Sequence, residues 1–359
     1  MKSCNIPQKI KTDRFYRKLS SKKRKKSNLV NVIRKKPWKA KRKATTKIVL
    51  APNIIDFYKP KHYEATVKFI DSIQKRIRNS YHSNKQSVNI SFRNTKFITA
   101  AAAIYLFAQT ARSVRKYPGI SYTITAPQKV TQKGESLHLV DSVLNRLGFY
   151  ELLGQRSRSL KEIRTVKCWH QDNGTVANGE IAGRIIEKLK HLGIEKHMLY
   201  RSSVEAISNA VEHGYDKSIQ STADLTDKTW WMFAAVLDNK LTILVSDLGH
   251  GIPNTLEKTQ SSNILDEIWS MLGVKATKDC ELIHASTLVK KTQTKKSNRG
   301  KGGKDLTSLV DHYKNSSLTI FSNRGLYRYH GKVSKKRAVS YDNKTPIEGT
   351  IVEWSIPLN

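Results

Sequence analysis

From about residue 47 onward, apolar positions recur with two spacings, one strand-like and one helix-like. Lys47–Pro52 (KIVLAP) predicts a short strand, and Tyr63–Ile77 a helix with Val67, Phe69, Ile70 and Ile73 on its apolar side. Val88–Phe92 alternates with period two, as a half-buried strand does. Thr99–Tyr117 (TAAAAIYLFAQTARSVRKY) predicts a helix: Thr99 suits the N-cap, the alanines favour helix, and Pro118-Gly119 ends it. Ile120–Pro127 is a second strand, and Ser136–Gly154 a second helix with Gly148 or Gly154 as its stop. Strand–helix–strand–helix predicts a small α/β layer domain with at least one parallel pairing.

A polar, mixed stretch follows at Arg156–Gly174, then an amphipathic helix, Gly179–Gly193, with Ile181, Ile185, Ile186 and Leu189 near one face. That helix should pack on the C-terminal domain. Leu199–His213 reads as helix, with Gly214 as its left-handed stop. The β-branched run Leu241–Val245 reads as a buried strand, Asp305–Lys314 as a helix, and Glu348–Pro357 as an alternating terminal strand. No internal repeat is evident.

Charge changes this picture at one end. The 359 residues suggest two domains plus a tail. The formal net charge is +36, and residues 1–50 hold 19 of the 65 Lys and Arg against one acid, Asp13, so they carry half of it. Residues 1–46 bury too little apolar surface to offset their chain entropy and read as a disordered basic arm. Such an arm suits a polyanion, nucleic acid first, with steep salt dependence. A solvated tail, or a surface for another subunit, remains the alternative. Cys4, Cys168 and Cys280 match no zinc spacing and fit free thiols in a reducing compartment. No apolar run approaches the roughly 18–20 residues of a membrane span, and the N-terminus lacks the apolar core of a secretory signal. A cytoplasmic protein is expected.

Four segments of the C-terminal half carry candidate chemistry. In Glu205–Tyr215 (EAISNAVEHGY), Glu205, Asn209 and His213 repeat every four residues and share a helix face. An amide oxygen there can ligate Mg²⁺, and a carboxylate can orient or deprotonate a water. In Leu241–Pro253 (LTILVSDLGHGIP), a strand delivers Asp247 at its end, followed by Gly249, Gly251, Ile252 and Pro253. A carboxylate so placed can accept from an adenine amino group, and the glycines let backbone come close. In Asn298–Leu306 (NRGKGGKDL), Arg299, Gly300, Lys301, Gly302 and Gly303 approach a helix N-terminus, a suitable phosphate cradle. It is not a P-loop, because no Ser or Thr follows the Gly-Lys pairs. In Glu348–Pro357, Gly349-Thr350 opens a strand, and a Thr hydroxyl there can reach an adenine. Taken singly, an ordinary exposed helix, an Asp-Gly turn, a solvated loop and a plain strand account for each as well.

In order and spacing, the four segments together resemble the GHKL ATPase superfamily of gyrase, heat-shock chaperone, histidine kinase and mismatch-repair ATPases. The resemblance implies a two-layer α/β sandwich over residues 198–359. Helices 199–213 and 305–314 would cover a mixed sheet of strands near 230–237, 241–246, 317–322 and 349–357. It implies ATP with Mg²⁺ as ligands, Asn209 on the metal, and Asp247 reading the adenine amino group with Thr350 nearby. It also implies a lid over 254–299, and Glu205 as general base in hydrolytic members. Residues 156–197 would be linker and amphipathic helix. Asn94–Ala102, between a strand and a helix, resembles the corresponding junction of STAS-type domains and extends that likeness over residues 47–155. That family has Asp-Ser-Ser-Gly where this chain has Thr99-Ala100-Ala101-Ala102, so the phosphorylated serine is missing and a scaffold or interaction module is expected.

Three functions follow as alternatives. The first is an ATPase acting as an ATP-gated switch. The second is an anti-sigma-type serine/threonine protein kinase. The third is a non-enzymatic nucleic-acid binder. A sensor histidine kinase fits less well, because neither His191 nor His197 is followed directly by an acid. The protein partner is open, a second copy of the chain included.

Overall fold

The structure, a computed structural model, describes residues 48–83, 87–132, 135–156, 166–220, 224–237, 239–273, 275–289, 302–332 and 334–358. The basic arm 1–46 lies outside them.

Strands β1 (Val49–Leu50) and β2 (Ile54–Ile55) lead into α1 (Pro60–His82), β3 (Ser87–Ser91), β4 (Phe97–Ile98), α2 (Ala100–Lys116) and β5 (Ser121–Thr125). The hairpin of β6 (Val130–Gln132) and β7 (Glu135–Leu137) precedes α3 (Leu139–Arg146) and α4 (Phe149–Leu152). Next come β8 (Val166–Gly174), α5 (Gly179–Lys188), a 3₁₀ turn at Lys190–Leu192, α6 (Lys196–Glu212), β9 (Trp230–Leu237) and β10 (Lys240–Asp247). Four helices follow: α7 (Ile252–Thr259), α8 (Ser262–Leu272), α9 (Asp279–Leu288) and α10 (Gly302–His312). The chain ends with β11 (Ser317–Ser322), β12 (Gly325–Tyr329), β13 (Val339–Asp342) and β14 (Thr350–Pro357).

The N-terminal elements contain the parallel pairing that their alternation predicts. Ile90 of β3 lies between Val49 of β1 and Ile124 of β5, both parallel. Helix α1 begins three residues before its first periodic residue, because Pro60 occupies the first turn, where its missing N–H costs nothing. The single helix expected over 136–154 is two helices, because Gly148 adopts φ +69 between them, and residues 135–137 are strand. Thr99 holds the N-cap position of α2, but its hydroxyl makes no capping bond and is buried without a partner. The start of the helix is fixed by backbone instead: Thr99 N donates to Ile55 O at 3.0 Å, and Thr99 O accepts from Ala103 N at 2.9 Å.

Seven strands form the second sheet, in the order β13-β12-β11-β14-β10-β9-β8. Every pairing in it is antiparallel, which corrects the mixed sheet implied by the resemblance. Tight connections force two of these pairings: Asn239 (φ 60) lies between β9 and β10, and Asn323 (φ 50) between β11 and β12. Edge strand β8 comes from the stretch read as linker. Its polar sequence, VKCWHQDNG, lacks the apolar run of a central strand.

Two apolar layers cover this sheet, and side chains alternate between them. Trp230, Met232 and Ala234 of β9, Ile243 and Val245 of β10, and Val352, Trp354 and Ile356 of β14 pack with α5, α6 and α10. Trp231, Phe233 and Ala235 of β9, Leu244 of β10, and Ile351 of β14 face the other way and join the core of α1, α2 and the N-terminal strands. Burial on both faces explains why WWMFAAV and LTILV read as unbroken apolar runs. Small residues Ala101, Ala102, Ala103 and Ala108 are buried on α2, which packs against β9, β10 and β14. The N-terminal elements and the seven-stranded sheet thus share one core, and residues from Thr46 onward form one compact unit. Among the described residues no helix is long and apolar enough to cross a membrane.

Candidate functional site

The site is built where the last residue of β10 meets the end of α6 and the start of β14. Asp247 closes β10, opposite Trp230 in register, and is only 6% exposed. Its Oδ1 accepts from Gly249 N at 2.8 Å, and the Thr350 N–H also donates to the carboxylate. Both bonds favour the ionised form, but burial outweighs them and pushes Asp247 up to about 7.

Three backbone approaches surround this carboxylate, and each needs a glycine. A Cβ on Gly249 would overlap the carbonyl oxygen of Gly214, and His250 N donates to that same oxygen at 2.7 Å. Gly349, at φ +71, passes so close to the backbone of Asp247 that a side chain there would overlap its carbonyl. Gly251, at φ +81, starts α7 with its absent Cβ 2.5 Å from Asn323 Oδ1. Gly214 plays a different part from the one predicted. Helix α6 ends at Glu212 with His213 as its right-handed C-cap, and Gly214 is not among the glycines of positive φ. Its lack of a side chain serves close packing instead: a Cβ would lie 3.4 Å from Asp247 Oδ1 and would overlap Ala210 O.

Polar groups fix the corner. Ser322 Oγ, at the end of β11, lies 2.9 Å from Thr350 Oγ1, accepts from Ile252 N at 2.9 Å and donates to Gly349 O at 3.1 Å. Tyr215 Oη donates to Thr229 O at 2.9 Å and accepts from Leu248 N at 3.0 Å. Sequence reasoning missed both. Tyr215 directly follows the His-Gly pair and could have been suspected, whereas Ser322 carries no signal beyond ending an apolar strand.

Of the predicted residues, His213, Asp247, Gly249, Gly251, Ile252 and Thr350 lie in segments that the structure brings together. Glu205 and Asn209 are half-buried on α6, and Asn209 O accepts from His213 N at 3.0 Å and Gly214 N at 3.2 Å. Arg299, Gly300 and Lys301 lie outside the described residues. Gly302 and Gly303 are the first residues of α10, rather than a lead-in to a helix at Asp305. The stretch read as a lid is helical as far as Leu288. Helices α7, α8 and α9 bury Leu256, Leu265, Ile268 and Ala285 in a small core of their own, and Asp342 Oδ1 accepts from Cys280 N of α9 at 2.8 Å. Residues 290–299 of that stretch lie outside the described residues.

The chemistry of the corner is that of a buried hydrogen-bond acceptor. A buried carboxylate sits beside backbone bare of side chains. Among the described residues no group of three or more His, Cys, Asp and Glu is placed to hold a metal. No model of a known protein family matches the chain, and no curated protein matches it.

Proposed function

We propose that the chain binds Mg-ATP in the manner of the GHKL ATPases and hydrolyses it as an ATP-gated switch, with the N-terminal STAS-like elements as an integral scaffold. One observation carries this reading. Segments from separate parts of the chain, His213-Gly214, Asp247–Gly251 and Gly349-Thr350, meet around one buried carboxylate, through contacts that only glycine allows. Their order along the chain is that of the family.

In this reading Asp247 accepts from the adenine amino group, with Thr350 Oγ1 and Ser322 Oγ alongside. Asn209 ligates the metal, and Glu205 takes the proton of an attacking water. Mg-ATP supplies an activated γ-phosphoryl group. Gly302 and Gly303, at the start of α10, meet the phosphates, together with Arg299, Gly300 and Lys301, which precede them in sequence. The basic arm adds a polyanionic partner, nucleic acid foremost.

Purified protein incubated with γ-labelled ATP and Mg²⁺ tests the reading. Free phosphate supports hydrolysis, label retained on protein points to the kinase alternative, and neither product with nucleic acid still bound leaves the third. Glu205→Ala is expected to abolish turnover and spare binding, while Asp247→Asn is expected to weaken binding itself by at least about 100-fold. Unchanged ATP affinity in Asp247→Asn refutes the adenine contact.

A further inference from the structure

Two threads of hydrogen bonds run from helix α2 to the two flanks of Asp247. The first ends on Glu348, the residue before Gly349. Its backbone N donates to Tyr105 Oη at 2.9 Å, and its Oε2 accepts from Gln109 Nε2 at 2.9 Å and from the Arg112 guanidinium. Arg112 Nη2 also donates to Gln109 Oε1 at 2.8 Å, and Gln109 Nε2 to Tyr105 Oη at 2.7 Å. All three α2 residues are buried, Arg112 to 6% exposure, so the guanidinium has exchanged water for Glu348. The second thread starts one turn later. Arg115 Nε donates to Asp227 Oδ2 at 2.9 Å, and Asp227 Oδ1 accepts from Thr229 N at 3.2 Å. Thr229 O accepts from Tyr215, whose Oη in turn accepts from Leu248 N. Residues 348 and 248 are thereby both tied to one helix of the N-terminal elements.

We propose that α2 positions the nucleotide corner: Arg112, Gln109 and Tyr105 hold Glu348, and with it Gly349-Thr350, against Asp247, so that nucleotide affinity depends on how α2 is docked. This rests on the nucleotide reading given above. The charge-assisted pair, with Arg112 buried and Glu348 partly exposed, is the strongest bond in the set. It acts on a residue whose neighbour, Gly349, has no side chain of its own with which to hold its place. Coupling is reciprocal, so bound nucleotide stabilises the docking of α2 by the same factor.

The test compares Mg-ATP affinity, by calorimetry on the full chain, with thermal stability measured on the same samples. Arg112→Met is expected to weaken Mg-ATP about tenfold, the effect of roughly 1.4 kcal/mol from one charge-assisted pair. Arg112→Lys, which keeps the charge without the fork, is expected to recover part of this, to about threefold weaker than the unmodified chain. Glu348→Gln, equally conservative in shape, should also weaken binding about threefold. Tyr58→Phe is the control. Its hydroxyl bonds Glu353 of the same strand, three residues beyond Thr350, so it loosens the same contact surface without touching the corner. It should lower stability and leave affinity within about 1.5-fold, since it removes one hydrogen bond remote from the pocket. Unchanged affinity in Arg112→Lys and Glu348→Gln overturns the proposal even if Arg112→Met fails to fold. So does a loss in Tyr58→Phe as large as that in Glu348→Gln, which would mark general loosening. Absence of Mg-ATP binding by the unmodified chain overturns the nucleotide reading and the positioning role with it.

Discussion

On the proposed nucleotide reading, Asp247 makes recognition depend on pH in a way that the ligand can reverse. Burial has raised its carboxyl from 3.8 to about 7 against the pull of two backbone donors. An adenine amino group donates, and the ionised carboxylate accepts from it more strongly than the carboxylic acid, which keeps only its carbonyl oxygen as an acceptor. With the midpoint near 7, about nine-tenths of the protein is ionised at pH 8 and about one-tenth at pH 6. Mg-ATP affinity is therefore expected to fall between pH 8 and pH 6, by up to about tenfold, or ~1.4 kcal/mol. Inosine triphosphate carries a carbonyl where adenine carries its amino group. At that position it accepts rather than donates, so protonated Asp247 can donate to it, and its affinity relative to ATP is expected to rise over the same interval. Phosphate protonation and metal binding act alike on both nucleotides, so the ratio of their affinities isolates Asp247 and should shift toward inosine triphosphate by up to about 100-fold as pH falls. Calorimetry at pH 6, 7 and 8 with saturating Mg²⁺ measures that ratio. A ratio constant across the range refutes the assignment of Asp247 to the purine edge. The same shift bears on folding with the opposite preference. A carboxyl raised in the folded state keeps its proton there, so its contribution to stability is full below 3.8 and is lost as pH rises through 7.

Glu353, buried on β14 with the Tyr58 hydroxyl on it, is likewise pushed up, from 4.5 to about 7, by burial. Glu353→Gln keeps an acceptor for Tyr58 and removes the charge. It is expected to stabilise the protein at pH 8 by on the order of 3 kcal/mol and to lose that advantage toward pH 4.5. Identical gains in urea melts at pH 5 and pH 8 would contradict this. Gly249→Ala puts a methyl into the Gly214 carbonyl and should cost about 3 kcal/mol together with nucleotide affinity, since overpacking must move backbone. Gly183→Ala, in helix α5 with its nearest neighbour 3.8 Å away, should instead stabilise by about 0.5–1 kcal/mol. Equal melting curves for the two variants would refute the close-approach argument. Deleting residues 1–46 is expected to lower nucleic-acid affinity and flatten its salt dependence, read from binding isotherms at several salt concentrations. An unchanged slope rejects the arm as the contact.

The parts of the corner that could be read from sequence are those for which chemistry leaves no alternative. Asp247 follows a run of apolar residues and precedes Gly249 and Gly251, and a carboxylate in that position has to be explained by the strand that delivers it. Gly249, Gly251 and Gly349 stand where another residue would overlap backbone or strain it, so their identity alone reports a close approach. Even there, sequence marks the residue and not its conformation: Gly214 is needed for space, not for a left-handed stop. Strand β8 escaped notice for the converse reason. At the sheet edge it gains less from apolar side chains, and without them periodicity has nothing to report.

The posts that hold the corner were illegible because their residue types default to solvent. Arg115 reads as part of the basic last turn of an amphipathic helix, an ordinary complement to its dipole, and Arg112 as one more charge a turn before it. Gln109 reads as one polar residue among alanines, and Glu348 as the polar first residue of the terminal strand segment. Arg112 and Glu348 are 236 positions apart, so no local pattern could pair them. What could have raised the question is the double-sided apolar content of β9, β10 and β14. A sheet apolar on both faces needs a second covering layer, and in this chain the N-terminal elements are the available one. Once they are placed there, the charged residues of α2 cannot all remain in water. Those on its inner side must find partners or cost several kcal/mol each. Glu348, at the mouth of the strand that carries Thr350, is the partner that Arg112 finds. The covering layer and the candidate site are therefore two consequences of one requirement, that both faces of the central strands be kept from water.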